Sequence, residues 1–138
     1  MADISQTAAN VLDGTNAGKQ TGVFGATIVA GDVLYLDTTT GKWKKAIITS
    51  GLTAGSAGLG VALTGGGDGQ TGVIQTSGNI NPGGTAVVGT VYIVSTNAGK
   101  LAANADVTVT GNFKQIIGIA TTASNILMIP GCTPVAMP

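Results

Sequence analysis

The chain has 138 residues, 43% of them apolar and only 9% charged, where an ordinary soluble domain carries about 25% charged residues. Six Lys balance six Asp, and Arg, Glu and His are absent. This argues against a nucleic-acid surface, which needs many cations against phosphate. It also argues against Ser-His-Asp or Cys-His catalysis, paired glutamates and histidine metal sites, so neither an enzyme nor a cofactor is expected. The length suits one domain. Apolar runs such as ILMI are far too short to span a bilayer, and MADISQTAAN lacks the basic and apolar regions of a secretory signal.

Taken in chain order, residues 1–24 stand apart. Ile4, Ala8, Val11 and Leu12 fall at i, i+4, i+7 and i+8, which fits either a short amphipathic helix after Ser5 or an extended arm ending in the polar stretch from Gly14 to Gly22. The segment is a candidate for reaching a neighbouring chain, with a frayed terminus as the alternative. Ile4, Val11, Leu12, Val23 and Phe24 are its candidate interface residues.

From residue 25 to 138 the chain reads as one β domain. Strands are predicted near 26–30, 33–37, 43–49, 58–63, 71–76, 84–88, 90–95, 107–110, 115–121 and 125–129, all rich in Val, Ile, Thr and Tyr. VLYL and VYIV are apolar on both faces, and brevity with flanking glycines decides for strand over helix. Closely spaced short strands predict an all-β fold, a compact barrel or sandwich. The C-terminal PGCTPVAMP, with three prolines, should form no regular element, and its Cys132 reads as a small apolar residue.

The domain repeats itself. GDVLYLDTTTGKW at Gly31 returns as GTVYIVSTNAGKL at Gly89, and one offset of 58 residues superimposes 25–63 on 83–121 without a gap. Fixed-period similarity marks duplicated units, here two hairpin-plus-strand units sharing one core. In DTTTGK and STNAGK, Gly41 and Gly99 supply the positive φ of a hairpin turn, and Lys42 and Lys100 point outward from it. The loop 64–72 is longer than its counterpart after Ala120 and is expected on an outward face.

Motifs that carry chemistry fail in turn. GTNAGKQ at Gly14 has three residues between its glycines where a phosphate loop has four, and Gln20 where Ser or Thr should hold magnesium. GLGVAL at Gly58 lacks the last glycine of a dinucleotide fingerprint. GGGDGQ around Asp68 has no companion carboxylates for calcium. Tyr35 and Tyr92 sit in apolar strands and read as core. Trp43, between Lys42 and Lys44, reads either as a surface contact, of the kind enriched at interfaces, or as a ring folded over its hairpin.

A glycine-punctuated β chain with Gly31 to Lys42 and Gly60-Val61-Ala62, then Gly89 to Lys100 and Gly118-Ile119-Ala120, resembles the small capsid decoration, or cement, proteins of tailed bacteriophages. The likeness covers roughly residues 25–130. It implies a barrel-like homo-oligomer, often a trimer, on the outer surface of the virion head, assembled in the host cytoplasm and locking major capsid protein subunits together. Such proteins often carry an N-terminal arm. The low charge is a departure and implies docking that depends little on salt. The alternative function is a carbohydrate- or receptor-binding β domain of a head fibre or tail appendage, for which Trp43 and the polar loops are the motive.

Overall fold

The computed structural model describes residues 3–104, 112–129 and 135–136. The strand expected at 107–110, together with Asp106 and Cys132, lies outside the described residues. The chain is all-β. After a 3-10 turn at Ala8–Asn10 come β1 (Val11–Asp13), β2 (Gly18–Val23), β3 (Val33–Asp37), β4 (Lys42–Lys45), β5 (Leu59–Ala62) and β6 (Thr71–Pro82). They are followed by β7 (Val91–Val94), β8 (Leu101–Ala103), β9 (Phe113–Lys114), β10 (Ile116–Ala120), β11 (Ile126–Met128) and β12 (Val135–Ala136).

Among the described residues, ten of these strands form one curled antiparallel sheet, a half-barrel. The order β4-β3-β5-β6 meets β11-β10-β7-β8 at its centre, so the second four strands mirror the first. The repeat is thus a repeat of pairing. Leu34 faces Lys45, Tyr35 faces Lys44 and Leu36 faces Trp43, and 58 residues on, Tyr92 faces Ala103, Ile93 faces Ala102 and Val94 faces Leu101. Val33 opposite Val61 returns as Val91 opposite Ile119. Beyond Ala62 and Ala120 the offset shrinks: Ala62 pairs with Ile74 and Ala120 with Ile126, because the first-half loop is six residues longer.

β6 joins the halves. Its start pairs with β5 and β2, its end with β11 and β1, and Gly78 bends it with φ 82° where a side chain would strike the Asn16 backbone. Sequence reading stops this strand at 76 because Ser, Gly, Asn and Pro follow, all turn-forming residues. Sheet pairing on both edges overrides those local preferences.

Residues 3–24 lie on the same sheet instead of forming a helix. β1 and β2 pair with β6, Asp3 bridges Ala102, and the Ile4 amide donates to Leu101 at 2.9 Å. The expected strands at 26–30 and 84–88 are loops, the first keeping a single antiparallel bridge between Ile28 and Gly66. Each closes a tight turn, Asp32 N–H to Val29 and Thr90 N–H to Val87, with positive-φ Gly31 or Gly89 at its third position, and that geometry cannot continue a ladder. The strand from Trp43 ends at Lys45, where Thr53 captures the next turn: its Oγ1 donates to the Ile47 carbonyl at 2.8 Å. β8 was missed, and Val135–Ala136, expected to be irregular, pairs with Phe113–Lys114.

Two apolar clusters hold the sheet. The larger joins both halves through Val33, Tyr35, Ile48, Val61, Ile80, Ile93, Leu101, Ile117 and Ile126. The smaller belongs to the first half alone and packs Phe24, Ile28, Leu34, Trp43, Ala62 and Ile74. β2 roofs it so closely that a side chain at Gly22 would meet Trp43 at 2.6 Å.

Candidate functional site

The six candidate interface residues divide by burial. Ile4, Val11, Phe24 and Trp43 are buried, whereas Leu12 is 59% exposed and Val23 38%. Trp43 is the ring folded over its hairpin. The alternation of β4 could have shown this, since successive side chains take opposite faces: Lys42 and Lys44 stay near solvent while Trp43 turns inward. The repeat turns have the predicted conformation, φ 71° at Gly41 and 77° at Gly99. Lys42 and Lys100 reach carboxylates, Asp68 at 3.2 Å and Asp32 at 3.9 Å.

Charge is concentrated on the first half, while Asp3 docks on the second-half turn, accepting from Ser95 Oγ at 2.6 Å and Asn97 Nδ2 at 2.8 Å. Lys44 sits 2.8 Å from Asp37 and Lys45 3.8 Å from Asp32 on the first half, and Lys19 sits 2.7 Å from Asp13 beside it. The hydrogen bond from Lys44, with the Thr39 amide, holds the Asp37 carboxyl below the usual range, and Lys19 does the same for Asp13. Asp37 in turn raises Lys44. Among the described residues after 82, only Lys100 and Lys114 are charged.

The uncharged end of the second half carries the most exposed large apolar residues in the described structure: Val87 at 65%, Val88 at 63% and Leu12. Leu12, opposite Asn81 on β6, lines a shallow groove of about 720 Å³ with Ser5, Thr7, Thr85, Ala123 and Ser124. The Ala86 amide, donating to Ala123 at 2.8 Å, fixes Val87 and Val88 beside that groove. Ile4 and Val11 lie beneath, in the core, so they position Leu12 and present no surface themselves. Among the described residues, no charged side chain lines the groove. Sequence reading missed Val87 and Val88 by placing them in a strand; the glycines at 83, 84 and 89 were the signal for a loop.

A second concavity of about 510 Å³ lies where the halves meet, between Trp43, Leu36 and Leu59 of the first and Gln115, Ile117 and Met128 of the second. Gln20, Ser56 and Thr76 add polar groups, and again no charged side chain among the described residues lines it. Among the described residues, no group of three or more acidic or cysteine side chains is placed to hold a metal ion. No protein-family model matches the chain, and no curated protein matches it.

Proposed function

We propose that this chain is a non-enzymatic structural protein that binds the outside of a mature phage head as a homo-oligomer, with a trimer favoured, and stabilises the lattice of the major capsid protein. The observation that carries the reading is the end of the second half where exposed Leu12 lines a groove with no charged side chain among its described lining residues, and Val87 and Val88 stand exposed just beyond that lining in sequence. Such a surface leaves water without stranding charges, which is the large cost of burying ionic groups, and apolar area removed from water contributes about 25 cal/mol per Å². The charged first half then faces solvent. A lattice also multiplies weak contacts, since one oligomer engages several subunits at once.

The test is co-sedimentation of purified protein with expanded, undecorated heads at low and high salt. The expected result is saturation at a fixed ratio to capsid subunits, unchanged by salt because few charges are involved. Absence of binding to such heads rejects the proposal.

A further inference from the structure

We propose, resting on the docking reading, that residues 3–10 form a strap that gates the docking groove: the groove is complete only while the strap is seated on the second half, and the Asp3 carboxylate is its latch. Of the eleven described residues that line the groove, Ser5, Thr7, Ala9 and Asn10 belong to the strap, and Leu12 follows directly after it. The rest of the lining comes from β6 and the second-half loops. Lifting the strap therefore takes four lining residues away.

The seat is shaped to receive backbone. The Ile4 amide donates to the Leu101 carbonyl at 2.9 Å and the Thr7 amide to Gly83 at 2.8 Å, while Gln6 Nε2 donates to the Gly31 and Pro82 carbonyls at 2.9 and 2.8 Å. A side chain at Gly84 would strike the Ser5 carbonyl, and one at Gly83 the Thr7 carbonyl. The first-half counterpart of Gly84 is Ala26, where no strap lies.

The latch occupies a repeat position. Asp37 closes the first-half turn with its own carboxylate, which accepts from the Thr39 amide at 3.0 Å. Its counterpart 58 residues on is Ser95, and there Asp3 brings the carboxylate, its two oxygens accepting from Ser95 Oγ and Asn97 Nδ2. Hydrogen bonds to a carboxylate are among the strong ones, and Ser95 is fully buried. Elsewhere the strap is held lightly. Ile4 alone is buried among residues 3–10, and the Ala8–Asn10 turn has neither a buried residue nor a side-chain cap at Thr7. Segments with few buried apolar contacts are those that open locally, so loss of the latch moves the strap toward its open state.

The experiment follows amide hydrogen exchange in the full chain and, in parallel, co-sedimentation with expanded heads. Asp3→Ala should speed exchange at Ile4 and Thr7 about tenfold, as loss of a hydrogen bond to a charged group does, while the β6 amides keep their wild-type protection. Asp3→Ala/Asn97→Ala should exchange no faster, because both residues act through one contact. Gly84→Ala blocks the seat and leaves Leu12, Val87 and Val88 in place. It should free the Ile4 and Thr7 amides and lose the heads, since apparent affinity falls with the seated fraction; should it not fold, Asp3→Ala/Gln6→Ala releases the strap from its own side with the same loss. Unchanged exchange in Asp3→Ala would remove the latch. Full binding of heads by a variant whose Ile4 and Thr7 amides are free would overturn the gate. Failure of the docking reading is a separate result: the wild type itself then stays in the supernatant, and the gate falls with it.

Discussion

The two halves pair their strands in the same register yet finish their surfaces differently. Val33, Val61 and Gln75 of the first half are buried, at 0%, 1% and 0% exposure. Their structural counterparts Val91, Ile119 and Leu127 are half-buried or exposed. For Val33 the cause lies in the second-half turn, and for Gln75 in β2, whose Lys19 pairs with it. The second-half turn folds onto the first half, with the Val33 amide donating to Gly99 and the Gly99 amide to Ala46, both at 2.9 Å. The first-half turn is open at its glycine: a side chain added at Gly41 would meet no atom within 4 Å. Duplication thus repeated the backbone, and divergence of side chains and terminal segments left one half sealed and rich in charge and the other more open, with only Lys100, Lys114 and the docked Asp3 charged among its described residues.

The largest expected effect tests the sealed side. Phe24 is fully buried against Gly72 and the small cluster, whereas its repeat counterpart is Pro82. Phe24→Ala should cost about 3 to 5 kcal/mol, as large aromatic truncations in cores do, measured by urea unfolding. A loss under about 1 kcal/mol, the scale of an average substitution, would mean that β2 does not seal a cluster of its own.

Next come the turns. Gly41→Ala should cost about 1 kcal/mol from its positive φ alone. Gly99→Ala should cost more, since its new methyl would meet Lys45 and Asp32 at 3.3 Å as well. Equal losses for the two variants would deny that the turns are packed differently.

The pH profile is a smaller effect and belongs to the first half and β1. Asp37 and Asp13 have folded pKa values below the unfolded carboxylate range. Their contribution is present above that range and is lost as pH falls through the lowered folded values. Lys44, raised by Asp37, contributes below the ordinary lysine range and loses this as pH rises through its raised value. Melting temperature should be flat from about pH 5 to 9, between the reference pKa values of these groups, and fall at either extreme. Asp37→Asn should flatten the acid limb, and a limb unchanged in that variant would remove the Lys44 pair from the account. Because the Lys44 side chain is 35% exposed, solvent screens the pair and the effect stays modest.

Smallest for stability is the open side. Replacing Leu12, Val87 and Val88 together by Ser should change unfolding free energy by no more than about 0.5 kcal/mol per site, as exposed substitutions do. Larger losses in the same urea unfolding would show these residues to be structural.

Much of this fold could be read from the residues. Val33–Asp37 and Val91–Val94 announced themselves by β-branched and aromatic content between glycines, and the φ of Gly41 and Gly99 followed from turn chemistry. β2 could not be read that way, because Gly-Lys-Gln-Thr-Gly shows no apolar alternation. Its two inward glycines, Gly18 and Gly22, let it pass over Ser77 and Trp43, so close backbone approach replaces side-chain burial there. β8 is the converse case: Leu-Ala-Ala has little strand propensity, yet the 58-residue offset from Trp43–Lys45 locates it. The open end was illegible because exposure depends on which terminal segment covers which half, and no local pattern states that.

The most direct test compares the two ends on the particle itself. Expanded heads should be titrated in parallel with the wild type, with Leu12→Ser/Val87→Ser/Val88→Ser from the neutral end, and with Val23→Ser/Val29→Ser from the charged half. The wild type and the Val23/Val29 variant should saturate the heads at the same ratio, while the neutral-end variant stays in the supernatant although it melts normally. Full binding by the neutral-end variant, or loss of binding only in the Val23/Val29 variant, would contradict the assignment of the docking face.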